Sequence, residues 1–416
     1  MAGKTLIGGT SYDISSGKTL VGSTSYKVKN GKVLINGTSY DISFLLPPAA
    51  LNVWTEGKYD TCDTITGIAY GNGYWVVSGN RNGSACIAYA TSLNGPWTRK
   101  GLWSGDEDYT SLRCITYANG YWVAGGEYET SYGSNPRIAW ATSPNGSWST
   151  KTLWEGNHGS GRLRNYINCI AYGNGYWVAG GRRQTSNSEN HSRVASTKSL
   201  SGTWTLTDID TGYTSTSYVS GICYANGYWA GSVTTWSSDK ARPAIFYTSG
   251  APTSFTIKNF NSSGPWYDNR AGSDIEGITY ANGYWITYGL YADNPRVAYS
   301  TSLSGEWNYV DIKKDANNSN CSVTGIVYAK GYYVASLVDY YAGLWTAVAY
   351  ATSLDGPWTV NDLWIQQSAT INGGGKSPCI TYSNGYFVVG GVYYDYNWHN
   401  GRIAYASTPN ELSGGT

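Results

Sequence analysis

The chain has 416 residues, enough to bury a large all-β core as one big domain or as two or three smaller ones. Charged residues make up 13% and the formal net charge is +1, about half the usual charged share, which leaves no electrostatic footprint for nucleic acid or for an anionic membrane surface. Gly (53), Tyr (39) and Trp (19) are abundant and no apolar run could span a bilayer, so the composition points to turns and strands and argues against membrane insertion.

Residues 1–44 hold three copies of a 14-residue unit: GKTLIGGTSYDISS (3–16), GKTLVGSTSYKVKN (17–30) and GKVLINGTSYDISF (31–44). Each reads as two short strands around a Gly-rich turn. A segment of about 40 residues cannot build a self-sufficient core. The module is therefore expected to lie against copies of itself or against a larger assembly, as an oligomerisation and attachment unit. LLPPAA (45–50) reads as a stiff linker into the remaining chain, 51–416.

From residue 51 onward a longer unit recurs. Asn-Gly falls at Asn72, Asn119, Asn174, Asn226, Asn282 and Asn384, with Lys330-Gly331 in the remaining place, at spacings of 47 to 56 residues. That period is too short for independent domains and suits propeller blades. Asn-Gly between alternating apolar runs predicts a type I′ hairpin, so GIAY and YWVV (67–70, 74–77) are strands one and two. A second hairpin follows, as in IAYATSLNGPWTRKGLW (87–103) and VAYATSLDGPWTVNDLW (348–364). Strand four, marked by Trp97, Trp148, Trp204, Phe255, Trp307 and Trp358, is missing from the seventh copy. LNVW (51–54) matches DLW (362–364), which predicts that residues 51–55 close the ring as the outer strand of blade seven. The expected fold is all-β: a seven-bladed β-propeller behind a small β-repeat module.

The seven cysteines contain no C-x-x-C pair and suggest neither a disulfide framework nor a zinc site. Cys114, Cys169 and Cys379 share one repeat position with Gly67, Gly221, Gly277 and Gly325, which indicates a tight slot for a small residue. No cofactor, catalytic or metal-binding motif is evident.

In an antiparallel propeller the 1–2 and 3–4 turns lie on one face, and here they are short and uniform. The 2–3 and 4–1 connections lie on the other, and they read as long and different in every blade, which is how binding surfaces are built on rigid scaffolds. They carry the candidate ligand-binding residues: Tyr340, Tyr341 and Trp345 in blade six, Tyr393, Tyr394, Asp395, Tyr396, Trp398 and His399 in blade seven, Trp236 in blade four, and Trp266 in the connection to blade five. Such aromatics mixed with Asp and Asn can stack on sugar rings and bond their hydroxyls; packed over neighbouring blades they would form a secondary core instead. Arg137, Arg193, Arg242, Arg296 and Arg402 recur at the entrance to strand three, where a brace to the next blade is favoured over an anion-binding ring. Loop-face carboxylates (Asp106, Glu107, Asp108, Glu127, Glu129, Asp239, Asp274, Glu276, Asp339, Asp395) could supply a glycosidase pair, but sequence spacing does not say which converge.

SLNGPW (92–97) and SLDGPW (353–358) resemble the Asp-box turn of sialidase-like propellers, two residues shorter and with Asp in only one. Sialidases use an arginine trio, a Tyr nucleophile with a Glu partner and an acid–base Asp; no local motif here assembles that set, so the resemblance is to the scaffold. The 3–44 repeats look like N-terminal segments of tailed-bacteriophage structural proteins, and the NGYW and TSxxGxW motifs resemble those of phage tail proteins. That resemblance, with no apolar leader after Met1, implies a protein made in the host cytoplasm and built into a virion. The expected role is a non-enzymatic receptor-binding protein, joined to other virion proteins through residues 1–44, homo-oligomeric in the assembly, and gripping host cell-surface polysaccharide. A structural or decoration protein and a sialidase-like hydrolase are the alternatives.

Overall fold

The computed structural model describes the backbone of six strands between Gly3 and Asp41. It then describes residues 62–407, apart from 105–109, 132, 156–162, 186–189, 213–215, 238–239, 261–263, 268–272, 313–320, 340–344, 365–378 and 396–397. Two compact units divide the chain, Met1–Asn52 and Val53–Thr416.

In the first unit each 14-residue repeat makes one antiparallel hairpin: Gly3–Ile7 with Thr10–Ser15, Lys18–Val21 with Thr24–Lys27, and Lys32–Ile35 with Thr38–Asp41. Ile14 and Ser15 also pair with Thr19 and Lys18, so repeats one and two share a four-stranded sheet while repeat three stands as a two-stranded one.

The second unit is a ring of seven antiparallel meanders. Blade one comprises Thr64–Gly71, Tyr74–Arg81, Ser84–Ala90 and Thr98–Ser104, and five more four-stranded sheets follow. Blade seven shows three strands among the described residues: Cys379–Ser383, Tyr386–Asp395 and Trp398–Ala406. First strands pack side by side around the ring, and that of blade one packs on the strands of blade seven. Ile65, Ile68, Trp75 and Val77 of blade one share a core with Val388 and Ile403 of blade seven. The predicted seven-bladed propeller is thus the observed fold; its predicted outer strand at 51–55 lies outside the described residues.

Local chemistry accounts for the blade. Asn72 (φ 45°) and Gly73 (φ 80°) supply the two positive φ angles of a type I′ turn, and Lys330 (φ 51°) adopts the same conformation in blade six. The second residue of each strand two is a large aromatic: Trp75, Trp122, Trp177, Trp229, Trp285, Tyr333 and Phe387, each at most 2% exposed. Each meets a tyrosine of strand one, as in Tyr70–Trp75 at 4.8 Å and Tyr382–Phe387 at 4.7 Å between ring centroids. These tilted pairs fill the space between sheets and dominate the burial term.

Several seams between blades are braced by lysine and tyrosine side chains. Lys100 Nζ donates to the Gly146 carbonyl at 2.6 Å, Lys151 to Gly202 at 2.7 Å and Lys258 to Gly305 at 2.8 Å, each reaching from strand four into the 3–4 turn of the next blade. Lys330 joins blade six to Ser407 at 2.8 Å. The Tyr299 hydroxyl donates to the Asp355 carboxylate across the 5–6 seam, and Tyr405 to the Asn94 side-chain oxygen across the 7–1 seam. Three of the five arginines bond or stack within their own blade: Arg193 Nε bonds Asp208 and Arg296 Nε bonds Asp311, both at 2.6 Å, and Arg296 also donates to the Pro265 carbonyl in the connection preceding its blade. Arg137 lies 3.9 Å over the Tyr128 ring. For these three the expected brace to the next blade is corrected, because strand three faces strand four of its own sheet.

A second correction concerns the 2–3 connections. Only two residues separate strands two and three in blades one, two, four, five and seven. The β-prone Tyr- and Trp-rich segments read as loops continue the ladder, so Gly391–Asp395 pairs with Trp398–Arg402 residue by residue. The longest separations between consecutive strands fall instead in the 4–1 connections.

Candidate functional site: the axial mouth

One end of the ring carries the starts of the first strands, the ends of the second strands and the 4–1 connections. In blades one to six the first strand bulges there, with register shifts such as Ile65/Gly67, Leu112/Cys114 and Ile275/Gly277. Bulges of this kind re-aim side chains. The glycine slot follows from the same crowding: a Cβ on Gly221 would lie 2.8 Å from the Gly277 Cα of the next blade. Where Cys fills the slot, Cys114 donates to the Gly125 carbonyl at 3.7 Å, and burial pushes its thiol up to about 12.

The register aligns equivalent positions across the blades. Just before the bulge stand Thr64, Ser111, Tyr166, Tyr218, Asp274 and Ser322, opposite Asn80, Glu127, Arg182, Thr234, Leu290 and Val338. Blades one, two and six have small hydroxyls there, whereas blades three to five have Tyr, Tyr and Asp. The bulge residues are Thr66, Arg113, Asn168, Ser220, Glu276 and Thr324. A sevenfold scaffold is therefore broken along the arc from blade two to blade five by large polar side chains.

Those side chains converge. Arg113 bonds Glu127 at 2.9 Å, reaches Asn168 of the next blade at 3.4 Å and lies 4.0 Å over the Tyr166 ring. Burial works against its charge, but Glu127 and Tyr166 hold the guanidinium above its ordinary value. Arg182 Nε bonds the Asn190 side-chain oxygen at 2.9 Å. The Tyr218 hydroxyl donates to Asp274 of the next blade at 2.5 Å. Burial pushes the Asp274 carboxyl up to about 6, against hydrogen bonds from Thr234 and Tyr218 that lower it. Burial together with the charges of Asp274 and Glu276 raises Tyr218 well above the usual phenol range, so it stays a donor at neutral pH. Tyr166 and Glu127 are buried, while Tyr218, Arg113, Arg182, Asp274 and Glu276 are half-buried, so a phenol, guanidinium donors and carboxylate acceptors stand side by side.

The structure treats the sequence candidates unevenly. Trp266 is not a surface residue: it is 0% exposed, packs with Phe260, Ile275 and Trp285, and donates to the Thr287 hydroxyl at 2.9 Å. An indole that finds an apolar slot and one buried acceptor serves as a plug. Trp236 is half-buried at the end of a second strand, with its backbone N–H on the Thr216 carbonyl at 2.8 Å. Trp345 pairs in register with Asp339, Tyr393 with Asn400, Tyr394 with His399 and Asp395 with Trp398, at the same end of the ring as the mouth. Tyr340, Tyr341 and Tyr396 lie outside the described residues, as do Asp106, Glu107, Asp108 and Asp239. Of the loop-face carboxylates, Glu127, Asp274 and Glu276 belong to the arc, and Glu129 is buried beside Thr110. Tyr166, Tyr218, Arg113 and Arg182 went unselected from sequence. The signal available was a departure from Thr or Ser at two aligned repeat positions. Among the described residues no group of three or more His, Cys, Asp or Glu is placed to hold a metal ion, and no helix is long and apolar enough to cross a membrane.

No protein-family model matches the sequence, and no curated protein matches it. Solved structures do. The Trypanosoma rangeli sialidase in complex with sialic acid matches at 13% identity and TM-score 0.50, over 82% of this chain and 60% of that one. The phage phi92 endosialidase matches at 11% identity and TM-score 0.49, over 85% of this chain and 68% of that one. The polysaccharide lyase Uly1 matches at 9% identity and TM-score 0.49, over 86% and 92%. The chain spans about three fifths of the length of the trypanosomal sialidase. At these identities the likeness is one of fold: the ring is a seven-bladed β-propeller similar to that of sialidases.

Proposed function

We propose that the protein is a non-enzymatic virion component whose propeller binds host-surface glycan at the axial mouth, while its N-terminal repeats attach it to other virion proteins and to further copies of itself. The observation that carries the reading is the asymmetric arc: Tyr166, Tyr218, Arg113, Asp274 and Glu276 replace or accompany small hydroxyls on one side of a repetitive ring. Rings that stack on pyranose faces beside donors and acceptors for hydroxyls are the ingredients of a sugar site. The Tyr- and Trp-bearing hairpins of blades six and seven end on the same side and would form its rim. The virion assignment rests on the likeness of the 3–44 repeats and of the NGYW and TSxxGxW motifs to phage structural proteins.

The test is binding of the full chain to host cells and to their purified polysaccharide. Tyr218→Phe with Glu276→Gln should weaken binding about tenfold, the loss of one or two hydrogen bonds to a ligand. Trp345→Ala with Trp398→Ala should abolish it, with unchanged circular dichroism in both variants. Unaltered binding in both would refute the site.

Glycan cleavage is the second reading, favoured by the Tyr218–Asp274 hydrogen bond and the neighbouring Glu276 charge. New reducing ends or unsaturated sugars after incubation with the polysaccharide, lost in Asp274→Asn, would replace the binding-only reading.

A further inference from the structure

Two thiols meet where the ring closes. Cys62 lies two residues before the first strand of blade one, Thr64–Gly71, and Cys86 lies in its third strand, Ser84–Ala90. They are 3% and 2% exposed, and their sulfurs are 2.8 Å apart and unbonded. That separation approaches the disulfide bond length of about 2.05 Å, so the two thiols already face one another as a cross-link requires. Cys114, Cys169 and Cys379 differ: each donates to a carbonyl of its own blade, that of Gly125, Gly180 or Gly390.

We propose that Cys62 and Cys86 form a disulfide that fastens the entrance of the propeller when the protein meets a low-molecular-weight disulfide. One cysteine thiolate attacks the reagent, forming a mixed disulfide and releasing one small thiol. The second cysteine, as thiolate, attacks the first cysteine's Sγ in that mixed disulfide, forming the Cys62–Cys86 bond and releasing the other small thiol. The two cysteines lose two protons and two electrons, and the reagent is reduced to two thiols. The bond would enclose strands Thr64–Gly71 and Tyr74–Arg81.

Its reach is wider than one blade. The Cys62 carbonyl accepts the Gly401 N–H of blade seven at 3.0 Å, and a Cβ on Gly401 would lie 2.6 Å from that carbonyl oxygen. Holding Cys62 on Cys86 therefore also holds the acceptor used by blade seven. The hydrogen bond with Cys86 and burial both raise the Cys62 thiol, which slows attack in the folded ring. Oxidation is accordingly slow in the native protein and fast when the chain refolds with the reagent present.

The full chain, refolded with and without oxidised glutathione, is alkylated and digested without reduction. The peptides bearing Cys62 and Cys86 should emerge as one linked species that reductant separates. The oxidised protein should melt about 5 °C higher than the reduced one, a gain absent from Cys86→Ser and from Cys62→Ala. Alkylation of both thiols after oxidative refolding, or linkage of either to another cysteine, would overturn the proposal. A linked protein with no rise in melting temperature would overturn the fastening role. If the variants fail to fold, the wild-type peptide map decides.

Discussion

Asp274 shows how much one residue's surroundings alter its chemistry. In an unfolded chain its carboxyl ionises near the ordinary value of about 3.9; in the mouth burial moves it to about 6. Between those two values the folded state holds more protons than the unfolded state, so this residue makes stability fall as pH rises through that window. Urea denaturation of wild type and Asp274→Asn at several pH values from 4 to 7 isolates the effect. The variant should gain stability relative to wild type as pH rises, with the change centred at about 5. A constant difference would show that the carboxyl titrates normally. Lys258 presents a different case, a half-buried side chain whose two carbonyl acceptors, Ser304 and Gly305, belong to the next blade. Lys258→Met keeps most of the stem and should cost about 1 kcal/mol in the same assay.

At the scale of the hairpin, turn chemistry is uneven around the ring. Asn82 (φ 47°) and Gly83 (φ 70°) join strands two and three of blade one with residues that tolerate positive φ. In blade five the same job falls to Ala292 (φ 45°) and Asp293 (φ 70°), and an alanine in the left-handed region carries a steric cost. Ala292→Asn with Asp293→Gly should therefore raise stability by about 1 kcal/mol, read as an upward shift in the melting temperature. An equal or lower value would mean that the Tyr291–Asn294 tip is held by contacts that matter more than its turn, such as the bond from the Asn294 amide to the Ala292 carbonyl at 2.9 Å. The hairpins of residues 3–41 are a different matter. Two short sheets with so few residues cannot bury enough apolar surface to stand alone.

The whole molecule couples a closed ring to that dependent module. Closure removes the open sheet edges that would otherwise invite pairing between chains. Removing residues 1–44 should therefore leave a folded, monomeric ring by sedimentation, one that no longer joins its assembly. Oligomers persisting in the truncated chain would place self-association on the propeller.

The ring itself was written in one dimension. A period close to fifty residues, Asn-Gly at fixed places and an aromatic two positions after each Gly specify turn, strand and core locally, so seven copies specify seven blades. The Asp-box-like turns were visible too, yet the use of Asn94 and Asp355 as acceptors for Tyr405 and Tyr299 was not, since those partners are more than fifty residues away. The mouth escaped for the same reason. Tyr218 and Asp274 stand one whole repeat apart and meet because a bulge turns each first strand at the ring's axis. Trp266 looked like a surface aromatic among Gly, Pro and Asp, and was claimed by a core that its flanking sequence does not reveal. Periodic order needs only neighbours along the chain, whereas a site needs neighbours across seams, and those exist only once the circle is drawn.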